Sequence, residues 1–184
     1  MKKMRQPALN IEIASASWKR IKGLERRLQK AAELTLAVLP EALLPAAQKA
    51  QMTLLLTTDV AVKTLNHDYR GLNKPTNVLS FPHCERRELV RLGKGKSAIY
   101  AGDIAVAYQY VVKEAKAERK MLQDHLTHLM VHGILHLFGY DHDTDSRAAS
   151  MEKKEKEILA ALGLPDPYAD IDVNEPRRSA KHKK

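Results

Sequence analysis

Three histidines at a fixed spacing constrain the fold of this chain more than any other feature. His132 and His136 are four residues apart, and His142 follows six residues later, with Gly139 in between. On an α-helix, residues four apart share one face with their Cβ atoms roughly 6 Å apart, so two imidazoles there can reach one metal ion. Glycine at position 139 favours the left-handed conformation that ends a helix and lets the chain fold back. The spacing therefore predicts a helix that carries two metal ligands and a turn that brings His142 to the same ion.

The pattern H-x3-H-x5-H with this glycine is the ligand framework of the metzincin pattern, in which three histidines hold zinc and the fourth position stays open to water. One element differs, because the general-base Glu that follows the first histidine in zincins is replaced here by Gly133. We interpret the pattern as a similar metal site that supports a different reaction. Asp141 has two open roles, as a hydrogen-bond partner that orients a ligating imidazole or as the N-cap of the next helix, and Asp145 is expected to be a cap.

Apolar periodicity along the rest of the chain predicts strands and helices in alternation. The predicted strands cover residues 9–13, 52–57, 78–81 and 99–107, and the predicted helices cover residues 17–39, 60–68, 108–119, 122–138 and 146–162. This order predicts an α+β single domain with one mixed sheet of about four strands packed by helices, some of the strands being parallel. Residues 40–50 are expected to form a linker, and the charged residues 83–98 a mobile loop that contacts substrate.

Single residues in two of these segments are further candidates. Arg70 precedes a predicted strand, and its planar guanidinium suits a phosphate or a developing oxyanion, although a solvated loop arginine is the alternative. Gly102 inside the last predicted strand indicates a bulge or a close backbone approach. Asp103 beside it is a weaker candidate for supporting the metal site, since an aspartate at a bulge is common. Asp59 is the expected cap of the helix over residues 60–68.

The net charge of +9 is concentrated at the two ends of the chain. Residues 1–5 carry three basic side chains and residues 177–184 carry five, with no acidic residue in either segment. Such ends either bind phosphate without sequence preference or serve as solubilising tails. The single cysteine, the lack of a secretory signal and the lack of an apolar run of about 20 residues predict a cytoplasmic protein without membrane association. We divide the chain into a basic extension at 1–7, a metal-binding catalytic domain at 8–168 and a disordered basic tail at 169–184.

Several segments closely resemble the YbeY family of bacterial endoribonucleases. They are H-G-I-L-H-L-F-G-Y-D-H at 132–142, Y-R-G-L-N-K-P-T-N-V-L-S-F-P at 69–82, G-D-I-A at 102–105 and D-P-Y at 166–168. The resemblance implies a single-domain zinc enzyme that cuts single-stranded RNA, matures the 3′ end of small-subunit ribosomal RNA and takes part in ribosome quality control. It implies ribosomal RNA or the small ribosomal subunit as partner.

The same resemblance assigns roles to residues. It implies that His132, His136 and His142 bind one zinc ion and that Arg70 is functionally important, so we take Arg70 and His132 as the catalytic residues. Zinc held by three neutral histidines lowers the pKa of a bound water to about 7, which removes the need for the missing Glu. We hypothesise that this activated water or a ribose 2′-OH attacks the phosphodiester while Arg70 stabilises the phosphate.

Two other functions stay open. The ligand spacing suggests a zinc metallopeptidase, but this chain has Gly133 where such an enzyme carries the general-base Glu. A non-catalytic ribosome-assembly factor with structural zinc would need a protein ligand in the fourth position. Cys84 and His83 are the residues near the Y-R-G segment that could supply it.

Overall fold

A computed structural model describes residues 8–169. The strands are β1 (Ala8–Ile13), β2 (Ala50–Thr57), β3 (Val78–Pro82) and β4 (Ile99–Ala107). The α-helices are α1 (Ala16–Lys19), α2 (Leu24–Ala37), α3 (Leu44–Ala47), α4 (Asp59–Arg70), α5 (Arg86–Gly93), α6 (Tyr108–Ala117), α7 (Leu122–Leu137) and α8 (Asp145–Ala161), and a short 3-10 helix covers Glu41–Leu43. None of the helices among these residues is long and apolar enough to cross a membrane.

The four strands form one mixed sheet in the order β1-β2-β4-β3. β1 and β4 both run parallel to β2, whereas β3 lies antiparallel to β4 at the edge of the sheet. The predicted α+β class, with one mixed four-stranded sheet packed by helices, is confirmed.

One face of the sheet is buried against helices. The side chains of Met52, Leu54 and Leu56 alternate along β2 onto this face, and each is at most 1% exposed. α7 packs on this core, and ten of its residues are buried. A helix with this many buried residues lies in the interior of the fold. The histidines of α7 are therefore carried on the most enclosed helix of the fold.

The irregularity predicted at Gly102 is present. The β2–β4 register shifts here, since Gln51 is opposite Tyr100 but Met52 is opposite Gly102. Gly102 has φ +134°, and a Cβ at this position would lie 2.1 Å from the carbonyl oxygen of Phe81. The glycine thus provides both a bulge and a close approach to β3.

Three predicted segments differ from the structure. The expected helix over residues 17–39 is split into α1 and α2, because Gly23 adopts φ +71° between them. Residues 40–50 hold the 3-10 helix and α3 instead of a linker. The expected mobile loop at 83–98 contains α5, because Leu89 is fully buried and anchors the helix while its charged side chains face outward.

The caps expected at two aspartates are supplied by the threonines that precede them. The hydroxyl of Thr58 accepts from Ala61 N at the start of α4, and that of Thr144 accepts from Arg147 N at the start of α8. Asp145 occupies the first turn of its helix, where a negative charge is favoured.

Candidate metal centre

α7 places two imidazoles side by side at the surface of the core. His132 and His136 lie one turn apart with ring centroids 4.5 Å from each other. Their Nε2 atoms are 3.0 Å apart. The structure thus brings the first two predicted ligands together with the same ring nitrogen facing one point.

The turn after α7 brings the third histidine to this point. Gly139 has φ +78°. The N–H groups of Gly139 and Tyr140 donate to the carbonyls of His136 and Leu135, both at 3.0 Å, which closes the helix end. His142 then lies with its ring centroid 5.0 Å from that of His136, and one candidate ligand atom from each of the three histidines lies within 4.8 Å of the others.

Hydrogen bonds at the far side of the two helical imidazoles determine their tautomers. His136 Nδ1 lies 2.9 Å from the carbonyl oxygen of Tyr140, which can only accept. His132 Nδ1 lies 2.8 Å from Oε1 of Glu155. Both Nδ1 atoms therefore carry the proton and donate it, so the two Nε2 atoms present lone pairs to each other.

Two lone pairs facing each other at 3.0 Å repel unless a cation lies between them. Nitrogens bound at about 2.0–2.1 Å to one tetrahedral zinc ion are about 3.3 Å apart, close to this spacing. Burial and the neighbouring histidines His132 and His142 lower the pKa of His136 from its ordinary value of 6.5 to about 4. The imidazole is thus held in the neutral form that binds metals, and the residues present fit a zinc ion.

Glu155 is a central residue of this site that sequence reasoning missed. The side chain is fully buried, and its carboxylate accepts from His128 Nε2 at 2.9 Å, from His132 Nδ1 and from the hydroxyl of Tyr168. Hydrogen bonds from the two histidines hold the pKa of Glu155 well below its ordinary value, even though burial alone would raise it. The carboxylate is therefore ionised and orients His132, one of the predicted metal ligands.

A signal for Glu155 was present in the sequence. It follows Met151 by four residues and precedes Ile158 and Leu159 by three and four, so it lies on the apolar side of α8. The run of charged residues in α8 would by itself indicate a solvated face. A carboxylate at core spacing indicates a buried partner, and the neighbouring histidine-rich helix supplies it.

A cavity of about 1080 Å³ opens over the three histidines. Its lining includes Arg70, the last residue of α4, where Gly71 with φ +68° ends the helix. The predicted arginine and the three histidines therefore line one cavity. Its wall also carries polar groups of the segment that leads into β3, among them Thr76, Asn77 and Ser80.

Gly133 faces the sheet, and this bears on the peptidase alternative. A Cβ at position 133 would lie 3.0 Å from two methyl carbons of Ile104 and 3.2 Å from Oγ of Ser80. The general-base Glu of a zincin would need room here for a whole side chain. The close packing of α7 on β3 and β4 leaves none.

The remaining candidates lie around the centre without joining it. Cys84 lines the cavity, but it is not part of the candidate metal-binding group. Among the described residues, that group, whose ligand atoms lie within 4.8 Å of one another, consists of the three histidines. The ring of His83 contacts that of Tyr100. Asp103 accepts from the hydroxyl of Tyr100. Asp141 accepts from the backbone N–H of His142 at 2.8 Å and lies 3.8 Å from the guanidinium of Arg147, so neither contact is to a ligating ring, and the N-cap of α8 is Thr144.

Comparisons with known proteins agree with these features. The family model described as endoribonuclease YbeY matches residues 12–163. A protein named endoribonuclease YbeY from Rhodopseudomonas palustris (strain HaA2) is 43% identical over 167 residues, which is 90% of this chain and 84% of that protein. A protein of the same name from Bradyrhizobium diazoefficiens is 41% identical over 164 residues, which is 89% of this chain and 86% of that protein.

A solved structure supports the fold. The solution structure of the protein TM1509 from Thermotoga maritima matches with a TM-score of 0.51 and 22% sequence identity. The match covers 92% of this chain and 100% of that one. The architecture described above is therefore shared with that protein.

Proposed function

Because the chain belongs to the endoribonuclease YbeY family, we propose that it is a zinc-dependent endoribonuclease that cuts single-stranded RNA. Its proposed role is in the cytoplasm, in maturation of the 3′ end of small-subunit ribosomal RNA and in ribosome quality control, with ribosomal RNA or the small subunit as partner. Its proposed zinc ligands are His132, His136 and His142, and its proposed catalytic residues are Arg70 and His132.

The observation that carries this proposal is the 3.0 Å approach of the Nε2 atoms of His132 and His136 beneath the cavity. Each is fixed by an acceptor on the other side of its ring, Glu155 for His132 and the Tyr140 carbonyl for His136. When bound there, a zinc ion acts as a Lewis acid that activates water near neutral pH. The donor set of three imidazoles leaves a fourth position for solvent or substrate.

The residues of the chain have separate parts in the reaction. Glu155 and the Tyr140 carbonyl hold the Nδ1 protons of His132 and His136, so both rings keep the orientation in which Nε2 faces the other histidines. Arg70 offers the fork of donors that suits the non-bridging oxygens of a phosphodiester, on which charge builds up in the transition state. The attacking group is either water or a ribose 2′-OH, and products that end in a 2′,3′-cyclic phosphate would identify the latter.

The test is cleavage of a labelled single-stranded RNA by zinc-loaded protein, by chelator-stripped protein and by His136→Ala. We expect cutting and stoichiometric zinc to be lost together in the last two samples. His67→Ala is the matched control, because His67 is exposed and paired with Asp68 on α4. Equal cutting by all samples would mean that the activity comes from a contaminating nuclease.

Arg70→Ala separates catalysis from metal binding. Loss of donors that stabilise developing charge typically costs a factor of about 10²–10³ in turnover, so we expect this loss with zinc content unchanged. Unchanged turnover would remove Arg70 from the proposed mechanism. Cleavage of a precursor transcript at the 3′ end of small-subunit ribosomal RNA, compared with an unrelated transcript of equal length, tests the ribosomal part of the proposal.

A further inference from the structure

α5 forms a wall of the cavity over the three histidines and places Arg86 there. We propose that Arg86 is a phosphate-binding residue that holds the backbone of the RNA strand at this wall. This inference rests on the proposed function, because it identifies where the substrate lies. It concerns a helix in a segment that the charge pattern predicted to be a mobile loop in contact with substrate.

The side chain of Arg86 is exposed, but its stem and its guanidinium both contact the turn after α7. Its Cβ, Cγ and Cδ lie 2.6, 3.3 and 3.4 Å from the position that a Cβ on Gly139 would occupy, so the aliphatic stem packs on the turn after α7. Its Cζ lies 5.4 Å from the ring centroid of Tyr140, a cation–π contact. A guanidinium fixed in this way loses less freedom when it binds an anion.

Arg86 forms no ion pair with a described residue, although Glu85, Asp141 and Asp143 line the same cavity. Of the other arginines that line the cavity, Arg147 pairs with Asp143 at 2.8 Å and Arg87 lies 3.7 Å from Glu85. Among residues 8–169, no carboxylate lies within ion-pair distance of Arg86. A fixed cation without a protein counter-ion, at the edge of a cavity, is a position for an anionic group of the ligand.

Tyr140 connects this position to the metal centre. Its carbonyl oxygen accepts from Nδ1 of His136, while its ring lies under the guanidinium of Arg86. A phosphate bound by Arg86 is therefore held by the same turn that orients a proposed zinc ligand. Arginine suits phosphate because its planar fork can donate two parallel hydrogen bonds to it.

The experiment compares Arg86→Met with Arg87→Met in the full-length, zinc-loaded protein. Methionine keeps an aliphatic stem over Gly139 and removes the guanidinium. Arg87 is the matched control, since it is the next residue, lines the same cavity and has a side chain that is 95% exposed. The probe is a labelled single-stranded 2′-O-methyl RNA, whose integrity is checked after each titration, and thermal unfolding is measured for each variant.

We expect Arg86→Met to weaken binding of the probe about tenfold, as for loss of a charged hydrogen bond, and Arg87→Met to change it less than about twofold. The slope of log affinity against log salt should fall by about 0.7 for Arg86→Met, the value for one phosphate contact on a single strand. Equal effects of the two substitutions would overturn the proposal, since they would reflect overall charge only. If the wild-type protein cuts no RNA, the proposed function fails; if it cuts RNA but Arg86→Met binds and cuts normally, only the phosphate subsite fails.

Discussion

At the scale of single residues, the buried carboxylate of Glu155 decides which nitrogen of His132 faces the proposed metal position. Its negative charge keeps the proton on Nδ1, and His128 and Tyr168 donate to the same carboxylate from other directions. A glutamine at this position could accept from one donor through its oxygen, but its amide nitrogen would face another donor. The preference for one tautomer would then be weakened.

Glu155→Gln is therefore expected to lower zinc affinity by about 10–100-fold, the usual effect of losing a group that supports a metal ligand. Competition with a chromophoric chelator measures this affinity without depending on RNA cleavage. Glu157→Gln is the control, because Glu157 is half exposed and pairs with Lys154 at the surface of α8. Equal zinc affinities for the two variants would contradict a role of Glu155 in the metal centre.

At the scale of secondary-structure elements, the end of α7 determines whether the third histidine reaches the first two. Gly139 and Gly163 both end helices with similar backbone angles, φ +78° and +72°, but their surroundings differ. A Cβ on Gly139 would lie 2.6 Å from Cβ of Arg86, whereas one on Gly163 would have no heavy atom within 4 Å. Alanine substitutions at these two glycines therefore separate the cost of backbone strain from the cost of a steric clash.

We expect Gly163→Ala to lower the free energy of unfolding by about 1–2 kcal/mol, the cost of a left-handed conformation for an L-residue. Gly139→Ala should cost more than this, because α5 must also move away from the turn, and it should weaken zinc binding. Denaturant unfolding of the metal-free variants and a zinc titration provide both values. Similar costs at the two positions would show that the contact with Arg86 is unimportant.

The elements differ in how far the sequence alone predicts them. α7 and β4 were predicted within one residue of their observed bounds, because each has a long apolar pattern with clear limits. α5 was missed because it is short and mostly charged, and its stability depends on Leu89 reaching a core built from distant segments. The spacing of the histidines predicted their convergence, since it is local.

Contacts between elements were the part that local patterns could not reveal. Glu155 forms a hydrogen bond with His132 although the two residues are 23 positions apart in the sequence. No local sequence pattern predicts this contact between α8 and α7. The polar segment before β3 indicated Arg70, whereas the place of Arg86 depends on how α5 packs against the turn at Gly139. Residues 1–7 and 170–184, which hold the basic ends and all of the predicted disordered tail except Ala169, lie outside the described residues.

At the scale of the whole molecule, the metal site makes the stability of the metal-free protein depend on pH. His136 has a pKa of about 4 in the fold, against an ordinary value of 6.5, mainly because it is buried. Below pH 6.5 the unfolded chain therefore takes up a proton at this residue that the folded protein does not. Stability must fall as the pH decreases from 6.5 toward 4.

We expect this one group to contribute at most about 1.4 kcal/mol of lost stability per pH unit in that window. Urea unfolding of the metal-free protein over the same pH range measures the slope. His136→Gln should flatten it, and His67→Gln, at an exposed position of α4, should leave it unchanged. A slope that is the same in all three proteins would assign the pH dependence to other groups.

The end of the described chain folds back onto the metal centre. Lys120 Nζ donates to the carbonyl of Pro167 at 2.9 Å, and Lys156 pairs with Asp166 at 3.1 Å. Tyr168 then donates its hydroxyl to Glu155. Burial and the charge of Glu155 raise the pKa of Tyr168, so this hydroxyl stays protonated.

Truncation after Ala169 and truncation after Leu164 test this arrangement, because both remove the basic residues 177–184 and only the second removes Tyr168. We expect the longer protein to keep the zinc affinity of the full chain. The shorter protein should bind zinc about tenfold or more weakly, since Glu155 loses a donor and its burial, and the support it gives to His132 becomes weaker. Tyr168→Phe, which keeps the ring, should reproduce part of this loss. Equal zinc affinity in all these proteins would mean that residues 165–169 have no role in the metal site.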